Sequence, residues 1–92
     1  MTSAATTIIR LLRIITLVNQ ARRFEYPNAV KLSAKFKIDL RTAKRDIAIA
    51  KQFLNVPLAY SGKERGFYLA KDFSFDNLDY NYDKILKNIE KV

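Results

Sequence analysis

Neither cysteine nor histidine occurs among the 92 residues. Without cysteine there is no disulfide framework and no thiol chemistry. With histidine missing as well, two of the commonest metal ligands and the commonest general base are gone, which argues against a zinc module or an enzyme. There is no nucleophile–base pair, no metal-ligand spacing and no glycine-rich phosphate loop, so no catalysis, cofactor or metal is expected. No apolar run approaches the roughly 20 residues of a membrane span. The N-terminal MTSAATTIIRLLRIITLV is apolar, but Arg10 and Arg13 interrupt it. It also lacks the order of basic, apolar and small-residue regions of a signal peptide. A cytoplasmic location is expected.

Acidic residues are also scarce, 9 against 17 Lys and Arg, for a net charge of +8. The imbalance is uneven. Residues 1–71 hold 14 cations and 4 acids, whereas residues 72–92 hold 3 cations and 5 acids. A basic body with a mildly acidic tail points to a polyanionic partner for the body, although many small proteins are basic for solubility alone. The reading is of one domain over 1–71 and a C-terminal extension over 72–92.

The first helix is expected from Ser3 or Thr6 to about Ala21. Ile8, Leu11, Leu12, Ile15 and Val18 form one apolar stripe, with Ile9, Ile14 and Leu17 off it. Such a helix is covered on two sides by its own domain or meets another subunit. Arg22-Arg23 suit its C-terminus. Phe24-Glu25-Tyr26 alternates and is long enough for a short strand. Pro27 and Pro57 then bracket two helices. Asn28 offers an N-cap for the first of them. Val30, Leu32, Ala34 and Phe36 are its buried candidates, and Lys31, Lys35 and Lys37 lie outward. After a turn at Lys37-Ile38-Asp39, Asp39 caps the next helix, expected from Leu40 to Leu54. There Ala43, Ile47, Ala50 and Leu54 make a core stripe, and Arg41, Lys44, Arg45, Ala48 and Gln52 gather opposite. This cationic strip reads either as a solvent face or as a side that enters a DNA groove. Asp46 lies off the strip, placed to pair with a cation one helix over or to orient Arg45 or Arg41.

Asn55 suits a left-handed C-cap. Residues 56–69 read as a hairpin, with Leu58–Tyr60 and Gly66–Leu69 as arms and Ser61–Arg65 as loop. Gly62 and Gly66, the only glycines, are expected to supply positive φ there. Phe24–Tyr26 is a candidate third strand. In the extension, Phe73 and Phe75 alternate with Ser74. Leu78, Tyr82, Ile85, Ile89 and Val92 follow at spacings of 4, 3, 4 and 3, an a/d seam. That seam either folds back on the first helix or pairs with its copy in a dimer.

Helix, short strand, helix, helix, hairpin is the order of a winged helix-turn-helix, an α+β, mainly helical fold with a three-helix core and a β-hairpin wing. The stretches RLLRIITLVNQARR and LSAKFKIDLRTAKRDIAIAKQFLNVPLAYSGKERGFYL resemble the N-terminal winged helix-turn-helix of DeoR-like and WYL-type bacterial transcription regulators. Leu40–Ile47, LRTAKRDI, is close to the SRRTIQRDI recognition-helix pattern. Asn55–Tyr60 followed by Arg65–Leu69 is close to GAPIEYD…GGYRL. The resemblance covers about residues 8–70. The chain departs from it at Asp39 for Ser, Leu40 for Arg and Lys37 for Gly.

The resemblance implies operator binding through Arg41, Thr42, Lys44 and Arg45. The function expected is therefore a sequence-specific regulator of transcription, such as a repressor, acting on double-stranded DNA in the nucleoid. Arg41, Lys44 and Arg45 are assigned to base edges. Thr42, Lys31 and Lys35 are assigned to phosphates, and Lys63 and Arg65 at the wing tip to the flanking backbone or minor groove. A homodimer through the first and C-terminal helices, on an inverted-repeat operator, is expected. Such regulators usually continue into a ligand-sensing domain, whereas here about twenty residues follow the wing, and a stand-alone regulator is the expectation. The alternative is a winged-helix protein-interaction module that does not touch DNA.

Overall fold

A computed structural model of the chain describes residues 4–75. Helix α1 spans Ala4–Arg22, α2 Ala29–Phe36 and α3 Leu40–Gln52; strands β1, Leu58–Ser61, and β2, Gly66–Leu69, follow. This is a small mixed α+β arrangement of three helices and an antiparallel hairpin, compatible with a winged-helix-like architecture. The C-terminal helix expected from the seam Leu78, Tyr82, Ile85, Ile89 and Val92 lies outside the described residues. Among the described residues, no helix is long and apolar enough to cross a membrane.

Each boundary has a local cause. The Asn28 side chain accepts the Lys31 N–H at 2.8 Å and starts α2. Lys37 ends it in the left-handed conformation, φ 54° and ψ 45°, with its N–H donated to the Ser33 carbonyl. A glycine would adopt that geometry freely, and the lysine bears it at a cost of roughly 1–2 kcal/mol. The Ser33 hydroxyl donates to the Ile38 carbonyl at 2.6 Å and closes the turn. The Thr42 N–H then donates to Asp39 Oδ1 at 2.8 Å and starts α3. Helix α3 ends at Gln52, two residues short of the expected Leu54, and its C-cap is Phe53 in the right-handed conformation rather than Asn55. Asn55 itself is left-handed, φ 56°, and the Val56 N–H reaches back to the Ala50 carbonyl at 2.9 Å.

The core gathers Ile14, Leu17, Val18 and Ala21 from α1, Leu32 from α2, Ala43, Ile47, Ile49 and Ala50 from α3, and Leu54, Val56 and Leu58 beyond it. Phe67 and Leu69 of β2, and Phe73 and Phe75 of the extension, pack against this cluster. The two phenylalanine rings meet edge to face with centroids 5.0 Å apart. Arg22 holds that segment, donating to the Phe73 carbonyl at 2.8 Å.

Four further expectations need correction. The face of α1 that enters the core is the one carrying Ile14 and Leu17, not the stripe through Ile8, Leu12 and Ile15, whose side chains are exposed. Of that stripe only Val18 is fully buried. In α2 only Leu32 is buried; Phe36 is half-buried and Val30 and Ala34 are exposed. Phe24–Tyr26 is not a third strand, because Phe24 and Tyr26 sit at φ 58° and 54°, left-handed values that break an extended run. Among the described residues the sheet has two strands, in the register Leu58↔Leu69 to Ser61↔Gly66. Finally, neither glycine has positive φ. Arg65, at φ 58°, makes the left-handed step out of the hairpin loop instead.

Candidate nucleic-acid interface

Helix α3 presents two opposed faces. Ala43, Ile47 and Ala50 are buried as expected, and Arg41, Lys44 and Arg45 stand exposed on the outer side with Gln52. Ala48 between them is half-buried. Thr42 is half-buried too, and its backbone N–H is committed to Asp39. That bond is the main reason the Asp39 carboxyl is held below the usual carboxylate value; the Thr42 hydroxyl and the Arg41 charge lower it further.

The rotation of α3 about its axis is fixed by Asp46, which is fully buried. Arg13 of α1 donates from Nε to Oδ2 at 2.6 Å and from its terminal nitrogen to Oδ1 at 3.2 Å. Arg10 brings its Nε to 3.1 Å of Oδ1, close enough for ion pairing. It is misaligned for a hydrogen bond, which leaves a buried donor without one. Of the two roles open to Asp46 in the sequence, pairing one helix over is therefore the observed one. Arg10 and Arg13, which interrupt the apolar run of α1, are its partners. The signal was available: Asp46 falls between Ala43 and Ile49 around the helix, inside the buried arc, and two arginines one turn apart occupy the buried side of α1.

The hairpin is placed by the chain before α2. Asn28 uses its carbonyl oxygen to cap α2 and its Nδ2 to donate to the Arg65 carbonyl at 2.7 Å, so one side chain ties the helix start to the hairpin. The Phe67 N–H donates to the Pro27 carbonyl at 2.7 Å. Gly66 is required here for closeness rather than for φ, since a Cβ at that position would fall on the Tyr26 backbone carbonyl. On the other side, Lys51 of α3 sits 5.7 Å from the Phe67 ring centroid, a cation–π contact between α3 and β2.

These ties bring Lys44 and Arg65 to opposite banks of one open groove, which Val30, Leu40, Tyr60 and Phe67 also line. Arg41 and Arg45 flank it along α3, and Lys63 is exposed in the hairpin loop. Lys31 and Lys35 are exposed on α2 but do not line the groove. The Lys31 ammonium donates to the Tyr26 carbonyl at 3.2 Å. Among the described residues no group of acids is arranged to hold a metal ion. Electrostatically the face is cationic, and the one acid within α3 is turned inward and neutralised. The apolar lining of the groove is not legible in the sequence, because Val30 reads as a core residue of α2 and Leu40 as a helix start that departs from the arginine of the recognition-helix pattern. Compared with protein-family models, with curated proteins and with solved structures, the chain has no match.

Proposed function

We propose that the chain is a winged helix-turn-helix that binds double-stranded DNA sequence-specifically as a transcription regulator. In this reading α2 and α3 form the helix-turn-helix, α3 enters the major groove, and the β1–β2 hairpin is the wing. The observation that carries it is the division of charge on α3. Arg41, Lys44 and Arg45 face outward, whereas Asp46, the only acid of that helix, is withdrawn into the core on Arg13. A helix that merely needed a solvated face gains nothing by removing its acid from that face. A helix that meets phosphate does.

Arg41, Lys44 and Arg45 read base edges, where a good bidentate pair contributes about 1–3 kcal/mol of discrimination. Lys63 and Arg65 hold the flanking backbone or minor groove, and Thr42, Lys31 and Lys35 hold phosphates. Ile8, Ile9 and Leu12, each more than half exposed on the outer face of α1, form with the C-terminal segment the seam of a homodimer on an inverted-repeat operator. No catalysis and no cofactor enter this reading, and the place of action is the cytoplasm, on the nucleoid. Light scattering tests the seam: the free chain runs as a dimer, Leu12→Lys as a monomer, and a monomeric wild type removes the dimer from the account.

The exposed face of α1 also favours a second reading, a winged-helix interaction module that leaves DNA alone. A gel-shift titration at two salt concentrations separates the two. A dimer making 6–10 phosphate contacts loses about 10³–10⁵ in affinity between 50 and 200 mM salt. Binding indifferent to salt, or absent, favours the interaction module.

A further inference from the structure

We propose that the groove between α2, α3 and the hairpin reads thymine methyl groups, with Leu40 and Val30 as the specificity-determining side chains. The inference rests on the DNA-binding reading above. The groove has a volume of about 540 Å³. On its walls Val30 is 67% exposed, Leu40 42% and Tyr60 56%. Base-edge and backbone contacts account for Lys44 and Arg65 on the two banks, but not for three large apolar side chains left open between them. The groove's lining holds two cations, Lys44 and Arg65, and no acid, so it suits an anionic occupant that carries apolar projections.

Duplex DNA has one such projection on its major-groove base edges, the 5-methyl of thymine. Leu40 is the first residue of α3 and shares its side of the helix with Lys44, one turn on. When Lys44 meets a base edge, Leu40 faces the neighbouring base step. Val30, in the first turn of α2, closes the groove from the other side. Neither residue is part of the buried core cluster, so both are free to be selected for what they touch.

The test uses the full chain and the duplex best enriched from a random-sequence pool, with each thymine replaced in turn by deoxyuridine, which lacks only the methyl. One or two positions per half-site are expected to lose about fourfold in affinity, the effect of one buried methyl. Leu40→Ala or Val30→Ala abolishes the loss at one of those positions, while circular dichroism shows the helices intact. Salt-dependent duplex binding with no deoxyuridine effect overturns thymine reading and leaves DNA binding standing. So does an effect that persists undiminished in both variants. Absence of salt-dependent duplex binding overturns both.

Discussion

Arg13 and Asp46, thirty-three residues apart in sequence, form a two-pronged hydrogen-bonded ion pair inside the protein, with contacts of 2.6 and 3.2 Å. It joins the N-terminal helix to the middle of the helix that carries the cationic strip. Any tilt or rotation of α1 is thereby passed to α3. Removing one member of a buried pair strands the other's charge, so Asp46→Ala is expected to cost about 3–5 kcal/mol in urea unfolding. Arg10→Met is expected to cost less, because Arg10 makes no hydrogen bond to the carboxylate. An Asp46→Ala variant as stable as wild type contradicts the assignment.

The two glycines make an internal control. Gly66→Ala drives a Cβ into the Tyr26 backbone, which has no side-chain freedom with which to yield. The expected loss is about 1–3 kcal/mol, with the hairpin displaced from α2. Gly62 has open space around it and no positive φ, so Gly62→Ala is expected to be neutral or to stabilise by about 0.4–1 kcal/mol through the unfolded chain. Thermal melts of the pair check the ranking, and equal effects contradict it.

Much of this organisation was legible because helix caps are local. Asn28 and Asp39 start their helices as their chemistry dictates, and the stripe Ala43, Ile47, Ala50 and Leu54 is buried throughout. What failed was decided by long-range partners. Helix α1 is apolar on nearly every side, so its periodicity names no unique inward face. Packing against α3 and β2 chose the side of Ile14 and Leu17. Phe24–Tyr26 had the alternation of a strand, but the path from α1 to α2 requires two left-handed residues there. The glycines had the expected composition of a hairpin, yet the left-handed position fell to Arg65, and Gly66 was needed for the approach of Tyr26. The cationic strip of α3 was readable as a strip. The groove beside it was not, since Val30 and Leu40 come to line one groove only after α2, α3 and the hairpin have assembled.

Asp39 links α3 to pH. Its folded pKa is lowered, first by the Thr42 N–H. A depressed carboxyl stabilises the fold above its unfolded value, about 3.9, and that contribution is lost as pH falls through the lower folded value. Asp39→Ala is therefore expected to melt earlier than wild type at neutral pH, with the difference shrinking below about pH 4. A difference that is constant across this range removes the cap from the explanation.

The central claim is that the outer face of α3 reads DNA. Its most direct test measures the affinity of the wild type, of Arg41→Ala and of Lys63→Ala for the selected duplex and for a scrambled one at fixed salt. The account predicts that the wild type prefers the selected duplex by about 10³ or more. Arg41→Ala relaxes that preference at one base position. Lys63→Ala weakens both duplexes alike and reduces the salt slope by about one. No preference in the wild type, or the same uniform loss from both variants, would contradict it.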